Sequence, residues 1–190
     1  MLLDKDMFIA CAEKAGLIVP QEILDDEMII DDIIQRITET AVAKGDFLGC
    51  GIGRTVFGFG NFVIKIARSI INEEEDEWDE HWYYCYDNSP SATSLDYCDK
   101  DDGMKQNRNE AEFVQICGKR HADNIAAVYA TSSNYAVSIC ERCEMVPMGD
   151  WSDDDDSRFA FLEQLYQDVH EHNVGFNKKG RMVVIDLGFM

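Results

Sequence analysis

Residues 45–67, GDFLGCGIGRTVFGFGNFVIKIA, contain the most informative secondary-structure pattern in this chain. Short runs of β-branched and aromatic residues alternate with glycines, a pattern typical of antiparallel strands joined by tight turns. We expect one strand to end at Leu48, a second to begin at Thr55–Phe57 and a third to cover Phe62–Ile66. The stretch therefore predicts a glycine-rich hairpin followed by a third strand.

The glycines between the first two predicted strands form a candidate site. Gly49, Gly51 and Gly53 fall at this strand-to-strand turn. Glycine lets backbone N–H groups approach phosphate oxygens because no Cβ stands in the way. The dinucleotide-binding fingerprint requires a helix after its glycines and fits this turn less well. A hairpin that covers phosphates and a merely flexible hairpin are the two interpretations that remain open here.

Lys65 lies in a predicted strand that is otherwise apolar. An unpaired buried charge is costly, so this lysine needs an acidic partner. The next predicted helix offers Glu110 and Glu112, and we prefer Glu110 because it shares a helical face with Val114 and Cys117. The alternatives are an edge-strand lysine that reaches into water and two solvated glutamates in the first turn of a helix.

A second polar group follows near the end of the sequence. Four residues separate Asp168 from Asn173, and an apolar strand, expected at Met182–Ile185, leads to Asp186-Leu187-Gly188. This spacing is that of a kinase catalytic loop followed by a magnesium-binding motif. Phosphoryl transfer needs an acceptor for the proton of the attacking hydroxyl and hard oxygen ligands for the metal at the phosphates.

Histidines and cysteines allow a different interpretation. His170 and His172 are spaced i, i+2 in a predicted loop, and Cys140 and Cys143 form half of a zinc knuckle. Neither pair has the further ligands that a zinc site requires. We interpret Cys140 as the end of a strand that passes into a loop, where backbone groups of residues 141–143 can meet the edge of an adenine.

The other segments predict a mixed α+β chain. Apolar residues at helical spacing predict two or three helices within residues 1–44. Residues 72–107 form an acidic insert rich in aromatic residues, which is either a partner surface or a decorated loop. We expect further elements at four places: a helix at Asn109–Gly118, strands at Ala126–Ala130 and Tyr135–Cys140, and a helix at Ser157–Tyr166.

Composition limits the classes of partner. The chain has a formal net charge of -20, from 37 acidic and 17 basic side chains. A field of this sign repels nucleic acids and anionic membranes and favours a basic protein partner. The sequence has seven scattered cysteines, no secretory signal and no apolar run long enough to cross a bilayer. We expect reduced thiols and a cytoplasmic protein.

Six segments then follow one another in the order found in protein kinases: GCGIGRTVF, VIKI, QNRNEAE, SICERCEM, DVHEHN and VVIDLGF. Over residues 45–190 the chain resembles the protein-kinase-like superfamily and, more narrowly, compact kinases encoded by bacteria and bacteriophages. The resemblance implies a two-lobed α+β fold with ATP and Mg²⁺ as ligands. Its parts are an N-terminal helical extension (1–44), a small lobe with an antiparallel sheet (45–143) and a truncated large lobe (144–190).

The resemblance also implies a role for each motif residue. Lys65 holds the α- and β-phosphates, and Glu110 orients Lys65. Asp168 accepts or aligns the proton of the substrate hydroxyl, and Asn173 and Asp186 bind magnesium. The remaining nucleotide-binding residues belong to the glycine turn, to the strand after it and to the segment SICERCEM, which corresponds to the hinge between the lobes of a kinase: Gly49, Gly51, Gly53, Val56, Glu141 and Cys143.

Three features depart from the family pattern. Arg54 stands where the third glycine of G-x-G-x-x-G is expected, Gln167 replaces the arginine of H-R-D, and the sequence ends two residues after Gly188 without an activation segment. We expect a serine/threonine kinase that acts on a host or partner protein and needs no activating phosphorylation. The alternative is a weak or inactive kinase-like module that binds or inhibits a partner through its acidic surface.

Overall fold

The computed structural model describes residues 1–50, 53–67, 102–116, 123–146 and 173–186. Within these ranges the chain is α+β, with three α-helices, an antiparallel five-stranded sheet and a smaller three-stranded sheet. The prediction of an α+β chain with an antiparallel sheet is therefore confirmed. Three predicted features lie outside the described residues: most of the 72–107 insert, the helix expected at 157–166 and the catalytic loop before Asn173.

Two α-helices and a short 3-10 turn precede the sheet: α1 (Lys5–Lys14), the turn Gln21–Ile23 and α2 (Glu27–Lys44). An aspartate caps each α-helix, since the carboxylate of Asp4 accepts from Met7 N at 3.2 Å and that of Asp26 from Met28 N at 3.0 Å. Such caps satisfy N–H groups that have no partner within the helix. The prediction of two or three helices in residues 1–44 is confirmed.

Five antiparallel strands form the main sheet in the order β1-β2-β3-β5-β4. They are β1 (Asp46–Cys50), β2 (Arg54–Phe59), β3 (Phe62–Ala67), β4 (Val128–Thr131) and β5 (Val137–Glu141). Each predicted strand exists, but β1 continues past Leu48 and β5 begins two residues after Tyr135. Tyr135 has a positive φ of 61°, which belongs to a turn and not to a strand.

The two faces of this sheet have different roles. One face packs against α1 and α2 in a single core, which contains Phe8, Ile34 and Ile37 from the helices and Phe57, Ile64 and Ile139 from the strands. Each such buried side chain stabilises the fold by roughly 1.5–3 kcal/mol. The opposite face carries Val56, Lys65 and Cys140, which line a cavity. Period-two alternation along the strands separates the two sets.

The N-terminal segment covers the outer edge of β4. Thr131 N donates to Leu2 O at 3.0 Å, and Asp4 N donates to Tyr129 O at 2.6 Å. Covering an edge strand removes exposed backbone groups that could otherwise pair with another chain. Residues 1–44 thus share both a hydrophobic core and backbone hydrogen bonds with the sheet.

Helix α3 (Asp102–Ile116) begins seven residues before the predicted start at Asn109. The last six residues assigned to the 72–107 insert therefore belong to the helix, and that boundary was wrong. The early turns are polar in sequence, yet Gln106 and Asn107 are buried. Their polar composition suggested a loop. The contacts that bury these side chains come from segments distant in the sequence and are not visible in the local pattern.

A second sheet of three short strands pairs with the segment that precedes β4. It contains β6 (Glu144–Met145), β7 (Val174–Phe176) and β8 (Met182–Val184), antiparallel and in that order. Val184 connects it to the segment before β4, since Ala126 N donates to Val184 O and Val184 N donates to Asn124 O, both at 2.8 Å. The sequence predicted β8 but neither β6 nor β7.

Candidate functional site

Lys65 lies on the face of β3 opposite the helical core. Alternation along the strand directs Ile64 into that core and Lys65 to the other side. The Nζ atom of Lys65 lies 2.8 and 2.9 Å from the two carboxylate oxygens of Glu110 and 2.7 Å from the carbonyl oxygen of Ile185. Lys65 is only 6% exposed, so the alternative of a strand lysine that reaches into water is wrong.

Helix α3 presents Glu110, and not Glu112, to this lysine. Glu110 is 4% exposed, and the residues three positions before and after it are buried as well. Glu112 lies on the outer side of the helix, where its Oε1 accepts from Arg108 Nε at 2.8 Å. The helical period therefore selects Glu110 as the partner of Lys65, as the sequence predicted.

Arg54, the first residue of β2, joins the same buried network. Its Nη1 lies 2.8 Å from Glu110 Oε1, and its Nη2 lies 2.5 Å from Asp186 Oδ1. Nη1 also donates to Asn107 Oδ1 at 3.3 Å. Burial disfavours the charged form of the guanidinium, but the charges of Glu110 and Asp186 outweigh burial and raise the pKa of Arg54 above its ordinary value.

The role of Arg54 was not predicted from the sequence, because this residue occupies the position at which the motif has a glycine. The strand pattern carried a usable signal, since Arg54 and Val56 are two residues apart in β2 and alternation places both on one face. Val56 lines the cavity. Once β2 is known to begin at Arg54, alternation with Val56 predicts that the Arg54 side chain points to the cavity side of the sheet. The strand pattern does not predict which residues it contacts.

Gly53 supports close packing against α3. A Cβ at Gly53 would lie 3.0 Å from both Gln106 Oε1 and Gly103 N, and a Cβ at Gly103 would overlap the carbonyl oxygen of Gly53. The absence of both side chains lets the β1–β2 turn and the first turn of α3 approach each other. Among the described residues that line the cavity, Gly49 is present and Gly53 is not. Gly49 lies at a bulge in β1 with φ of 150°.

A cavity of about 640 Å³ brings most of the predicted site residues together. This volume lies in the range of small-molecule sites, roughly 300–1,000 Å³. Apolar side chains, among them Val63, Val128 and Ile185, form much of its wall. Eight predicted residues line it: Gly49, Val56, Lys65, Glu110, Glu141, Cys143, Asn173 and Asp186. Gly51 and Asp168 lie outside the described residues.

The segment that follows β5 forms one wall of the cavity, and Arg142 fixes it. Nη1 of Arg142 lies 2.9 Å from Asp46 Oδ2 and 3.3 Å from Gly60 O, and its backbone N donates to Asn61 O at 3.1 Å. A Cβ at Gly58 would lie 2.8 Å from Nη1, so glycine at this position leaves room for the guanidinium. These contacts hold residues 141–143 beside the β2–β3 turn.

Two free thiols belong to the same wall. Burial raises the pKa of Cys140 to about 12, and burial together with the nearby charge of Glu141 raises the pKa of Cys143 to about 12. Both thiols are therefore protonated near neutral pH and contribute an uncharged surface.

The β7–β8 hairpin places Asn173 and Asp186 at one end of the cavity. Asn173 precedes β7 directly, Asp186 follows β8 by two residues, and Ile185 N donates to Asn173 O at 2.8 Å. The turn predicted at Asn177–Gly180 closes the hairpin, with Gly180 N donating to Asn177 O at 2.8 Å. Antiparallel pairing thus brings together two residues that are 13 positions apart in the sequence.

An amide and a carboxylate at this position fit a magnesium ion. Mg²⁺ binds hard oxygen ligands and takes one or two carboxylates together with phosphate oxygens and water, so Asn173 and Asp186 are side chains of a type that this ion accepts. In the described ranges no group of three or more His, Cys, Asp or Glu side chains is arranged to hold a metal. Cys140 and Cys143 therefore have no further zinc ligands there, and His170 and His172 lie outside the described residues.

This chain has no sequence match that would indicate a family or a function. Neither the family models nor the sequences of characterised proteins match this chain. None of the helices in the described part of the chain is both long and apolar enough to span a bilayer.

Proposed function

We propose that this chain is an ATP-dependent phosphotransferase with a two-lobed, protein-kinase-like fold. The observation that carries the proposal is one cavity in which the buried Lys65–Glu110 pair faces Asn173 and Asp186. An ion pair, an amide and a carboxylate around a partly apolar cavity are the groups that bind the phosphates, the metal and the base of a nucleotide. On this proposal, residues 45–143 form the small lobe and residues 144–190 belong to the large lobe.

The apolar part of the cavity suits an adenine ring. Val56, Val63 and Val128 supply apolar walls, and residues 141–143 line the same cavity. The N–H groups of Glu141 and Arg142 donate to Ala127 O and Asn61 O, so we assign contact with the base to the carbonyl groups of this segment and to Cys143 N. A nucleobase in such a site gains affinity from burial and orientation from a few backbone hydrogen bonds. The contacts of Arg142 with Asp46 and Gly60 keep this backbone in position.

The polar part of the cavity suits the phosphates. Lys65 is fixed by Glu110 and by the carbonyl of Ile185, so its ammonium is oriented before a nucleotide arrives. Asn173 and Asp186 would hold magnesium, which when bound neutralises charge on the phosphate oxygens. We assign Lys65 to the α- and β-phosphates and Glu110 to the orientation of Lys65.

The chemical step on this proposal uses Asp168, which the family resemblance assigns. Its carboxylate accepts or aligns the proton of the attacking hydroxyl. We propose a serine or threonine of a partner protein as the acceptor. The net charge of -20 favours a basic partner and disfavours nucleic acid and anionic membranes. A cytoplasmic location stays a prediction from the cysteine pattern.

Nucleotide binding tests the proposal directly. We expect ATP with Mg²⁺ to raise the melting temperature of the wild-type protein, because a ligand at about 100 times its Kd stabilises the native state by about 2.7 kcal/mol. In Lys65→Ala the shift should shrink strongly. Lys179→Ala, which removes an exposed lysine of the β7–β8 turn, is the matched control and should keep the wild-type shift.

The readout is thermal unfolding with ATP alone and with ATP plus MgCl₂. Lys65→Ala removes one partner of a buried pair, so its own stability without nucleotide is measured first. A wild-type protein that shows no shift with any adenine nucleotide would refute the proposal, as would an undiminished shift in Lys65→Ala.

The second candidate function is a weak or inactive kinase-like module that binds a partner through its acidic surface. The ion pair between Arg54 and Asp186 favours it, because the carboxylate assigned to magnesium already has a cationic partner. Radiolabelled ATP with a cell lysate distinguishes the two candidates. Label transfer that is lost in Asp168→Ala supports the enzyme, whereas a biological effect retained in that variant supports the module.

A further inference from the structure

The network around Arg54 places a guanidinium and the proposed metal ligand in direct contact. Arg54 is 3% exposed and lies 2.5 Å from Asp186 Oδ1 through Nη2. Its other terminal nitrogen, Nη1, binds Glu110 Oε1, which is also bound to Lys65. Two cations and two carboxylates thus form one connected group with a formal charge of zero.

Several contacts hold Arg54 at this position. Gly53 packs against Gly103 and so brings the start of β2 close to α3. Asn107 is fully buried, donates to the carbonyl of Tyr135 at 2.8 Å and presents its oxygen to Arg54. A guanidinium can reach two carboxylates at once because its donors are arranged as a rigid planar fork. The position is therefore built for an arginine.

A divalent cation at Asp186 would lie next to this guanidinium. Like charges at short range repel, and the burial of Arg54 limits the screening by solvent, although the Asp186 side chain is 38% exposed. Binding of the metal must therefore either displace Nη2 from Oδ1 or accept the repulsion, and both reduce the apparent affinity for the metal. The same positive charge favours a polyphosphate, since without Arg54 the other three residues, Lys65, Glu110 and Asp186, have a formal charge of -1.

We propose that Arg54 is a positioning residue that sets the divalent-cation requirement of the site. Arg54 competes with Mg²⁺ for the carboxylate of Asp186, and its charge supports nucleotide binding when the metal is scarce. This inference rests on the proposed nucleotide-binding function and adds a residue that weakens metal binding and strengthens metal-free nucleotide binding. The two effects have opposite signs, which a purely structural role of Arg54 would not produce.

The test uses ADP, which avoids turnover, and the full chain in the Arg54→Gln variant. Isothermal calorimetry gives the ADP affinity in EDTA, and a MgCl₂ titration at fixed ADP gives the Mg²⁺ concentration at half-maximal thermal stabilisation. We expect the midpoint for Mg²⁺ to fall about tenfold in Arg54→Gln, a coupling of ordinary size. The ADP affinity in EDTA should fall several-fold in the same variant.

Arg108→Gln is the matched control. Arg108 lies on α3 as Glu110 does, but its partner is the surface residue Glu112, and its side chain is 59% exposed. This variant should reproduce both wild-type values. An unchanged or higher Mg²⁺ midpoint in Arg54→Gln would overturn the inference. A variant in which the affinity for ADP and the affinity for Mg²⁺ both fall would overturn it as well.

Failure of the inference and failure of the proposed function give different results. A wild-type protein that binds ADP, with a Mg²⁺ midpoint that Arg54 does not affect, refutes only the role of Arg54. A wild-type protein that binds ADP under neither condition refutes both. If Arg54→Gln does not fold, Arg54→Lys takes its place, because one ammonium cannot span Glu110 and Asp186. Its Mg²⁺ midpoint should fall by a smaller factor, and a wild-type midpoint would refute the proposal.

Discussion

Replacing Gly103 by alanine should destabilise the protein, although the same change usually stabilises a helix. In an ordinary helix position alanine is favoured over glycine by up to about 1 kcal/mol. At Gly103 the new Cβ would overlap the carbonyl oxygen of Gly53 and lie 2.9 Å from Ala67 Cα and 3.0 Å from Ala67 Cβ. Gly53 directly precedes β2, and Ala67 is the last residue of β3. The contacting atoms are backbone or Cβ atoms, so no side-chain rotation relieves the contact.

The size of the effect follows from these opposing contributions. Overpacking against fixed atoms costs about 3 kcal/mol at the upper end of its usual range, and the gain in helix propensity offsets about 1 kcal/mol of this. The expected net loss of about 2 kcal/mol corresponds to a fall in melting temperature of about 4–8 °C for a domain of this size.

Thermal and urea unfolding of Gly103→Ala measure this loss. The matched control is Gln115→Ala, an exposed position on the same helix, which should remain within about 0.5 kcal/mol of the wild type. A melting temperature that rises or stays constant in Gly103→Ala would refute the close approach of the β1–β2 turn to α3, and with it the described position of Arg54.

Two further predictions concern the helical layer. Asp26→Ala should lower the free energy of unfolding, measured in urea, by about 1 kcal/mol, because it removes the cap on Met28 N. Asp25→Ala is the control and should have a smaller effect, since the pair of Asp25 with Lys5 is solvent-exposed. Equal losses in the two variants would contradict the assignment of Asp26 as the cap. Burial raises the pKa of Cys11 from 9.0 to about 12, so the stability due to its protonated form is complete below pH 9 and is lost as the pH rises towards 12. Cys11→Ala should therefore lose stability less steeply than the wild type between pH 9 and 12, as measured by the free energy of unfolding, and an unchanged slope would argue against a buried thiol.

The sequence predicted those elements whose pattern is local. The β-branched and aromatic runs in residues 54–67 specified two strands, and apolar residues at helical spacing predicted the helices of residues 1–44. It did not predict β6 and β7, which contain two and three residues and are too short to show alternation. The start of α3 was missed because Gln106 and Asn107 read as loop residues and are buried only by tertiary contacts.

The chemistry available to the site could be predicted from the sequence: a lysine in an apolar strand that required an acid, a helix that offered Glu110, and two oxygen ligands separated by a turn and an apolar strand. How these charges combine depends on contacts between distant parts of the chain. Arg54 and Asp186 are 132 residues apart, and no local periodicity links a glycine-rich turn to the end of a distant hairpin. Their contact depends on the packing of Gly53 against Gly103 and on the burial of Arg54, because a buried cation needs an acidic partner where solvent cannot stabilise its charge.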